Sequence, residues 1–192
     1  MKKVLLSFAF LLNTYVLLAQ KDSLQLDEND KYVYYKVSDT QILADTVYQR
    51  AWQFAKGLAD AGKPTAGNAD KAFHVSSKFL VYSGTSLIRK ESGQIKYTLN
   101  FQAADGKYRY KISSFIFTPY VRDRFGNMVP VAGIEVPLEN MGVKYGQKNL
   151  NACLDQVAEY ALNLSARLKQ AVDRKKDTVA PVKIKKVNTG NW

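Results

Sequence analysis

The sequence predicts an α+β fold: a curved antiparallel sheet with elements in the order β-α-β-β-β-β-α and both helices packed on one face. Three observations carry this expectation. Residues 94–103 alternate strictly, with Ile95, Tyr97, Leu99, Phe101 and Ala103 on one side and Gln94, Lys96, Thr98, Asn100 and Gln102 on the other. That is the period of a strand with one buried and one wetted face. Asp105-Gly106 follows, the dipeptide of a two-residue hairpin of type I′, which needs positive φ at both positions. From about Asn149 to Val172, Leu150, Cys153, Leu154, Val157, Ala161, Leu164, Leu168 and Ala171 form one apolar stripe at helical spacing. A sheet face and a helix stripe of this kind bury each other, which leaves the opposite sheet face partly exposed.

The remaining elements follow in chain order. Lys31–Val37 has strand composition, with Val33, Tyr35 and Val37 on the apolar parity and Tyr32, Tyr34 and Lys36 on the polar one. Val47, Ala51, Phe54, Ala55 and Leu58 then recur at helical spacing, between Asp45 as N-cap and Gly62 as C-cap, and Lys63-Pro64 stops the helix. Residues 65–70 are a small polar loop. Phe73, Val75, Phe79 and Val81 alternate around Ser76-Ser77, where a register break is expected. Ser83-Gly84 reads as a turn, Leu87-Ile88 as a short strand and Glu91-Ser92-Gly93 as another turn. In the returning strand, Tyr108, Tyr110 and Ile112 share one parity and Phe115 and Phe117 the other, which predicts a bulge near Ser113-Ser114. Val121–Gln147, rich in Gly and Pro, is expected to be irregular. Phe125, Met128, Val129, Val131, Ile134 and Val136 make the wider segment 118–147 too apolar for a solvated linker. It reads first as a structural cover, lid or hairpin around Gly133, and second as a partner-binding loop.

The chain has 192 residues and a formal net charge of +11. Residues 1–19 read as a secretory signal peptide: Lys2 and Lys3, an apolar run Val4–Leu12, and a small residue before an Ala19/Gln20 cleavage point. A retained anchor fits less well, because the apolar run is short and is interrupted at Asn13-Thr14. No Cys near the cleavage point offers a site for lipidation. Residues 20–30 form an acidic segment of net −3, residues 31–172 a single domain of net +8, and residues 173–192 a basic disordered tail of net +4. With 46% hydrophobic and 23% charged residues, the chain is neither disordered nor collagen-like as a whole. One Cys and one His exclude a disulfide scaffold and the usual zinc clusters.

Several segments, in order, resemble a known family: Asp30-Lys31-Tyr32-Val33-Tyr34-Tyr35, Gly93-Gln94-Ile95-Lys96-Tyr97-Thr98-Leu99, Gly106-Lys107-Tyr108-Arg109-Tyr110 and Phe117-Thr118-Pro119-Tyr120-Val121-Arg122-Asp123-Arg124. The family is one of secreted Bacteroidetes proteins, a domain of unknown function with a TBP-like fold. The resemblance covers about residues 28–172, and the leader ending Ala19-Gln20 is similar to those of such bacteria. It implies helices on an antiparallel sheet and supplies no catalytic residues; "TBP-like" describes shape, and shape does not imply function.

The candidate chemistry is sparse. His74 sits on the polar parity of a strand, with no Gly-x-Ser-x-Gly elbow to complete a triad. Gly142-x-x-x-Gly146 lacks the Lys-Ser/Thr of a phosphate loop, and no calcium-loop pattern occurs. Cys153 lies in the apolar stripe and reads as a small core residue. Asp123, Glu135 and Glu139 are the only clustered carboxylates that a small hydrolase would use. Binding is better supported: Tyr32, Tyr34 and Lys36, then Lys96, then Arg109 and Lys111 occupy polar strand positions, and Arg122 and Arg124 follow in the loop. Tyrosines interleaved with basic residues suit nucleic acid, but an export signal directs the protein to the envelope instead. The expectation is a non-enzymatic, exported binding domain of the bacterial cell envelope, with no cofactor, metal or catalytic residue. Its partner would be an envelope protein, a glycan or an anionic membrane surface. A structural subunit of an envelope assembly is the alternative, with a hydrolase behind it.

Overall fold

The computed structural model describes residues 24–85 and 88–174. The expected signal peptide, the first four residues of the acidic segment and the tail beyond Arg174 lie outside the described residues. In chain order come β1 (Gln25–Leu26), β2 (Tyr32–Asp39), α1 (Ala44–Lys56), β3 (Thr65–Ala66), β4 (Ala72–Thr85), β5 (Ile88–Ala104), β6 (Lys107–Arg122), β7 (Met128–Pro130), β8 (Val136–Pro137), α2 (Leu138–Tyr145) and α3 (Gln147–Asp173). The strands pair antiparallel in the order β1-β2-β6-β5-β4-β3, and β7 and β8 attach to the later part of β6. The helices cover one face, and a single apolar cluster runs between them and the sheet.

The expected α+β architecture is present, and its central strand is as read. Ile95, Tyr97, Leu99, Phe101 and Ala103 are buried beneath α1 and α3, facing Val47, Ala51, Val157, Ala161, Leu164 and Leu168. The bulge is present too. Lys96 pairs with Ile116 but Thr98 with Ser113, and Ser114 takes φ +57°, which returns Phe115 and Phe117 to the core.

Several local expectations are corrected. Glu91-Ser92-Gly93 is not a turn: β5 runs through it, and the extra residue makes a bulge where the partners of Val81 and Tyr82 shift. Ser92 Oγ donates to the Val81 carbonyl at 3.1 Å, so the strand continues. Ser83-Gly84 likewise lies inside β4. Ser76-Ser77 keeps register, because Ser77 faces inward and donates to the Ala59 carbonyl at 2.9 Å. The Asp105-Gly106 hairpin is present, but only Gly106 has positive φ (+78°), so the turn is not type I′. Helix α1 starts after Leu43, places Asp45 in its first turn, and ends at Gly57 instead of Gly62.

The segment 118–147 is mostly regular. A tight hairpin joins β6 to β7 at Asp123–Asn127, where Asp123 Oδ1 accepts the N–H groups of Phe125 and Asn127 at 2.8 Å each. Then β8 pairs beside Ile116-Phe117, and α2 buries Leu138 and Met141 in the core. Gly146, at φ +87° and ψ 151°, separates α2 from α3. Among the described residues, no helix is long and apolar enough to cross a membrane.

Candidate functional site: the open face of the sheet

In an antiparallel pair, opposed residues project to the same side of the sheet, so the strand register defines the face away from the helices. One row across it is His74, Asn100, Lys111 and Tyr35; the next is Ala72, Gln102, Arg109 and Val37. Farther along, Ser76 opposes Thr98 and Lys78 opposes Lys96. Arg109 is fixed in place by Nε and Nη2 donating to Gln102 Oε1 at 3.0 and 2.6 Å. A shallow depression of about 380 Å³ runs between Tyr35, His74, Asn100, Gln102, Arg109 and Lys111.

Lys78, Lys96, Arg109 and Lys111 thus share one face, on the three central strands. Among the described residues none of them forms an ion pair. Asp27 is an acid on which Lys111 acts. Its carboxyl lies below the usual range, first because it accepts the Asn29 and Lys31 N–H groups and to a smaller extent because of Lys111.

The structure divides the sequence-predicted site. Lys96, Arg109 and Lys111 share the open face, Arg109 and Lys111 beside the depression and Lys96 farther along β5. The first strand is reversed from its expected parity: Tyr34 is 5% exposed and faces the helices, while Tyr35 and Val37, 44% and 47% exposed, lie on the open face. The Tyr34 hydroxyl donates to Ser165 Oγ at 3.1 Å, and Tyr110 shares that oxygen at 2.5 Å, so one helical serine satisfies two buried phenols. Tyr32 is half-buried, packs on the core, and gives its N–H to Glu139 Oε1 at 3.0 Å. Lys36 opposes Tyr110 and so shares the helix-side parity. Arg122 and Arg124 lie at the β6–β7 hairpin, Arg122 donating to the Gly126 carbonyl and Arg124 standing 4.8 Å over the Phe125 ring. Sequence reading missed Tyr35, Val37 and Lys78. A pairing register across β2 and β6 would have found the first two, but no local signal supplies it.

The carboxylates have separate structural tasks. Asp123 caps its own turn, and backbone N–H groups, Asn127 first, hold it below the usual range. Glu139 caps the start of β2, and Glu135 is exposed. Cys153 is buried, and desolvation pushes its thiol up to about 12. No cluster of His, Cys, Asp and Glu suited to a metal ion occurs among the described residues.

No curated protein matches the sequence. Two solved structures resemble the fold. A crystal structure of a TBP-like protein from Parabacteroides distasonis aligns with TM-score 0.59 at 14% identity, covering 78% of this chain and 97% of that one. A DUF4468 family protein from Bacteroides ovatus aligns with TM-score 0.54 at 12% identity, covering 81% and 93%. At these identities the likeness is one of fold. Residues 34–118, from β2 into β6, match the family model described as a domain of unknown function (DUF4468) with TBP-like fold, the family that the chain resembles in sequence and in architecture.

Proposed function

We propose that the chain is an exported, non-enzymatic binding domain of the bacterial cell envelope, and that its open sheet face lies against an anionic membrane surface. The observation that carries the reading is the register of Lys78 opposite Lys96 with no counter-ion among the described residues. Like charges directly opposed across strands are destabilising, and an anionic surface relieves that repulsion. Arg109 and Lys111 extend the same field toward β2. The β6–β7 hairpin adds Arg122 and Arg124 around Phe125, which is 74% exposed and suits a headgroup boundary. The leader read from residues 1–19 supports the envelope as the place of action.

Lys78→Glu tests this reading because stability and binding should move in opposite directions. The substitution places a carboxylate opposite Lys96 and should raise folding stability by roughly 0.2–1 kcal/mol. The same change reverses one charge at the surface, where each basic residue contributes about 1 kcal/mol. Sedimentation with vesicles containing phosphatidylglycerol should therefore show binding weakened roughly tenfold or more. Native binding should be absent with neutral vesicles and fall as salt rises. A more stable variant that binds as tightly as the native chain would remove the open face from the mechanism. Binding to an acidic envelope glycan or protein, with none to vesicles, would move the partner to the alternative class.

A further inference from the structure

A cleft of about 640 Å³ opens between the ends of β4 and β5, β6, α2 and the start of α3. That volume is in the range of small-molecule sites, roughly 300–1,000 Å³. Val81, Phe117, Met141 and Cys153 line it as an apolar floor, and its cationic residues are Arg89 and Lys148. No Asp or Glu lines it. The other polar groups are largely committed. Gln156 holds both backbone groups of Tyr82 at 2.9 and 3.0 Å, Ser92 donates to Val81, and Asn149 donates to the Tyr145 carbonyl. Arg89 and Lys148 have no ion pair among the described residues, although Arg89 stands 5.6 Å over the Tyr82 ring.

An apolar floor beside two cations that have no carboxylate partner among the described residues is complementary to an anion with an apolar body. We infer that the cleft binds an apolar carboxylate of the fatty-acid type, its chain over Phe117 and Met141 and its carboxylate between Arg89 and Lys148. The chain's own C-terminal sequence has the wrong sign for this place: Lys175, Lys176, Lys183, Lys185 and Lys186 stand against one acid, Asp177. This site is separate from the membrane-facing reading, because none of Lys78, Lys96, Arg109 and Lys111 lines the cleft.

The test is calorimetric titration of the full chain with dodecanoate below its aggregation concentration, and with dodecyltrimethylammonium as the cation of equal chain length. The expected result is saturable one-to-one binding of dodecanoate alone. Arg89→Glu with Lys148→Glu, both at exposed positions, should weaken it at least tenfold, and Ala152→Trp, which fills the cleft from an exposed position of α3, should abolish it. Lys78→Glu should leave it unchanged, which keeps this result independent of vesicle binding. Absence of saturable binding, equal binding of the cation, or native affinity in the Arg89/Lys148 variant would each overturn the proposal. The last criterion stands even if the tryptophan disturbs α3.

Discussion

At the scale of single residues, the sheet's inner face is unusual in its buried phenols. Tyr97 and Tyr110 are in the core, with Tyr97 bonded to Tyr160 at 2.8 Å and Tyr110 to Ser165. Burial is the first cause that raises both hydroxyls, Tyr110 to about 12 and Tyr97 further. In the unfolded chain both titrate near 10. Between these values the folded state retains protons that the unfolded state has lost, so the tyrosines' contribution to stability is constant below pH 10 and falls as pH rises through 10 to 12. The slope is about 1.4 kcal/mol per pH unit for each such tyrosine. Urea midpoints at pH 9, 10 and 11 should show that decline, and Tyr110→Phe should make it shallower. An identical slope in the variant would mean that Tyr110 does not contribute. The same phenols explain why parity misled the reading of β2. Valine and tyrosine both suit strands, so Val33, Tyr34 and Tyr35 are nearly equivalent locally. What selects Tyr34 for the core is Ser165, 131 residues later, together with the register against Ile112.

At the scale of elements, the sequence resolved what repeats and missed what depends on a neighbour. The ten-residue alternation in β5, the stripe of α3 and the face change in β6 are periodic signals that one strand or helix contains by itself. Glu91-Ser92-Gly93 has the composition of a turn, yet it continues as strand because β4 pairs with it through the bulge and β6 joins at Gly93. A Cβ on Gly93 would stand within 3 Å of both the Thr118 carbonyl and the Phe117 ring. The glycine is therefore required for close approach between strands, not for a chain reversal. Gly93→Ala should lower stability by roughly 1–3 kcal/mol through overpacking. The signature would be a lower urea midpoint with an unchanged slope, and a native midpoint would show that β6 can shift without cost. Helix α2 escaped the reading for a related reason. Eight residues between Pro137 and Gly146, with Gly142 among them, give too short a period to recognise, and it is the burial of Leu138 and Met141 and the packing of Tyr145 on Phe117 that make it part of the core.

At the scale of the whole molecule, the packed core separates two surfaces of different chemistry. The open face presents opposed lysines to solvent; the helix side holds an apolar cleft with a cationic rim. Part of the first was legible, since Lys96, Arg109 and Lys111 are spaced at strand parity. None of the second was, because its lining comes from β4, β5, β6, α2 and α3, and no segment of the chain contains its pattern. The separation itself leads to a measurable expectation. Substitutions far apart with no shared partner add within about 0.3–0.5 kcal/mol, whereas coupled ones do not. Dodecanoate bound in the cleft at 100 times its dissociation constant should stabilise the native state by about 2.7 kcal/mol. That increment should be the same in the native chain and in Lys78→Glu, and the loss of vesicle affinity in Lys78→Glu should be the same with and without dodecanoate. Thermal or urea unfolding of both chains with and without ligand, paired with vesicle sedimentation, closes the cycle. A departure from additivity of 1 kcal/mol or more would show that the sheet transmits a change between its faces, and the two surfaces would then act as one device.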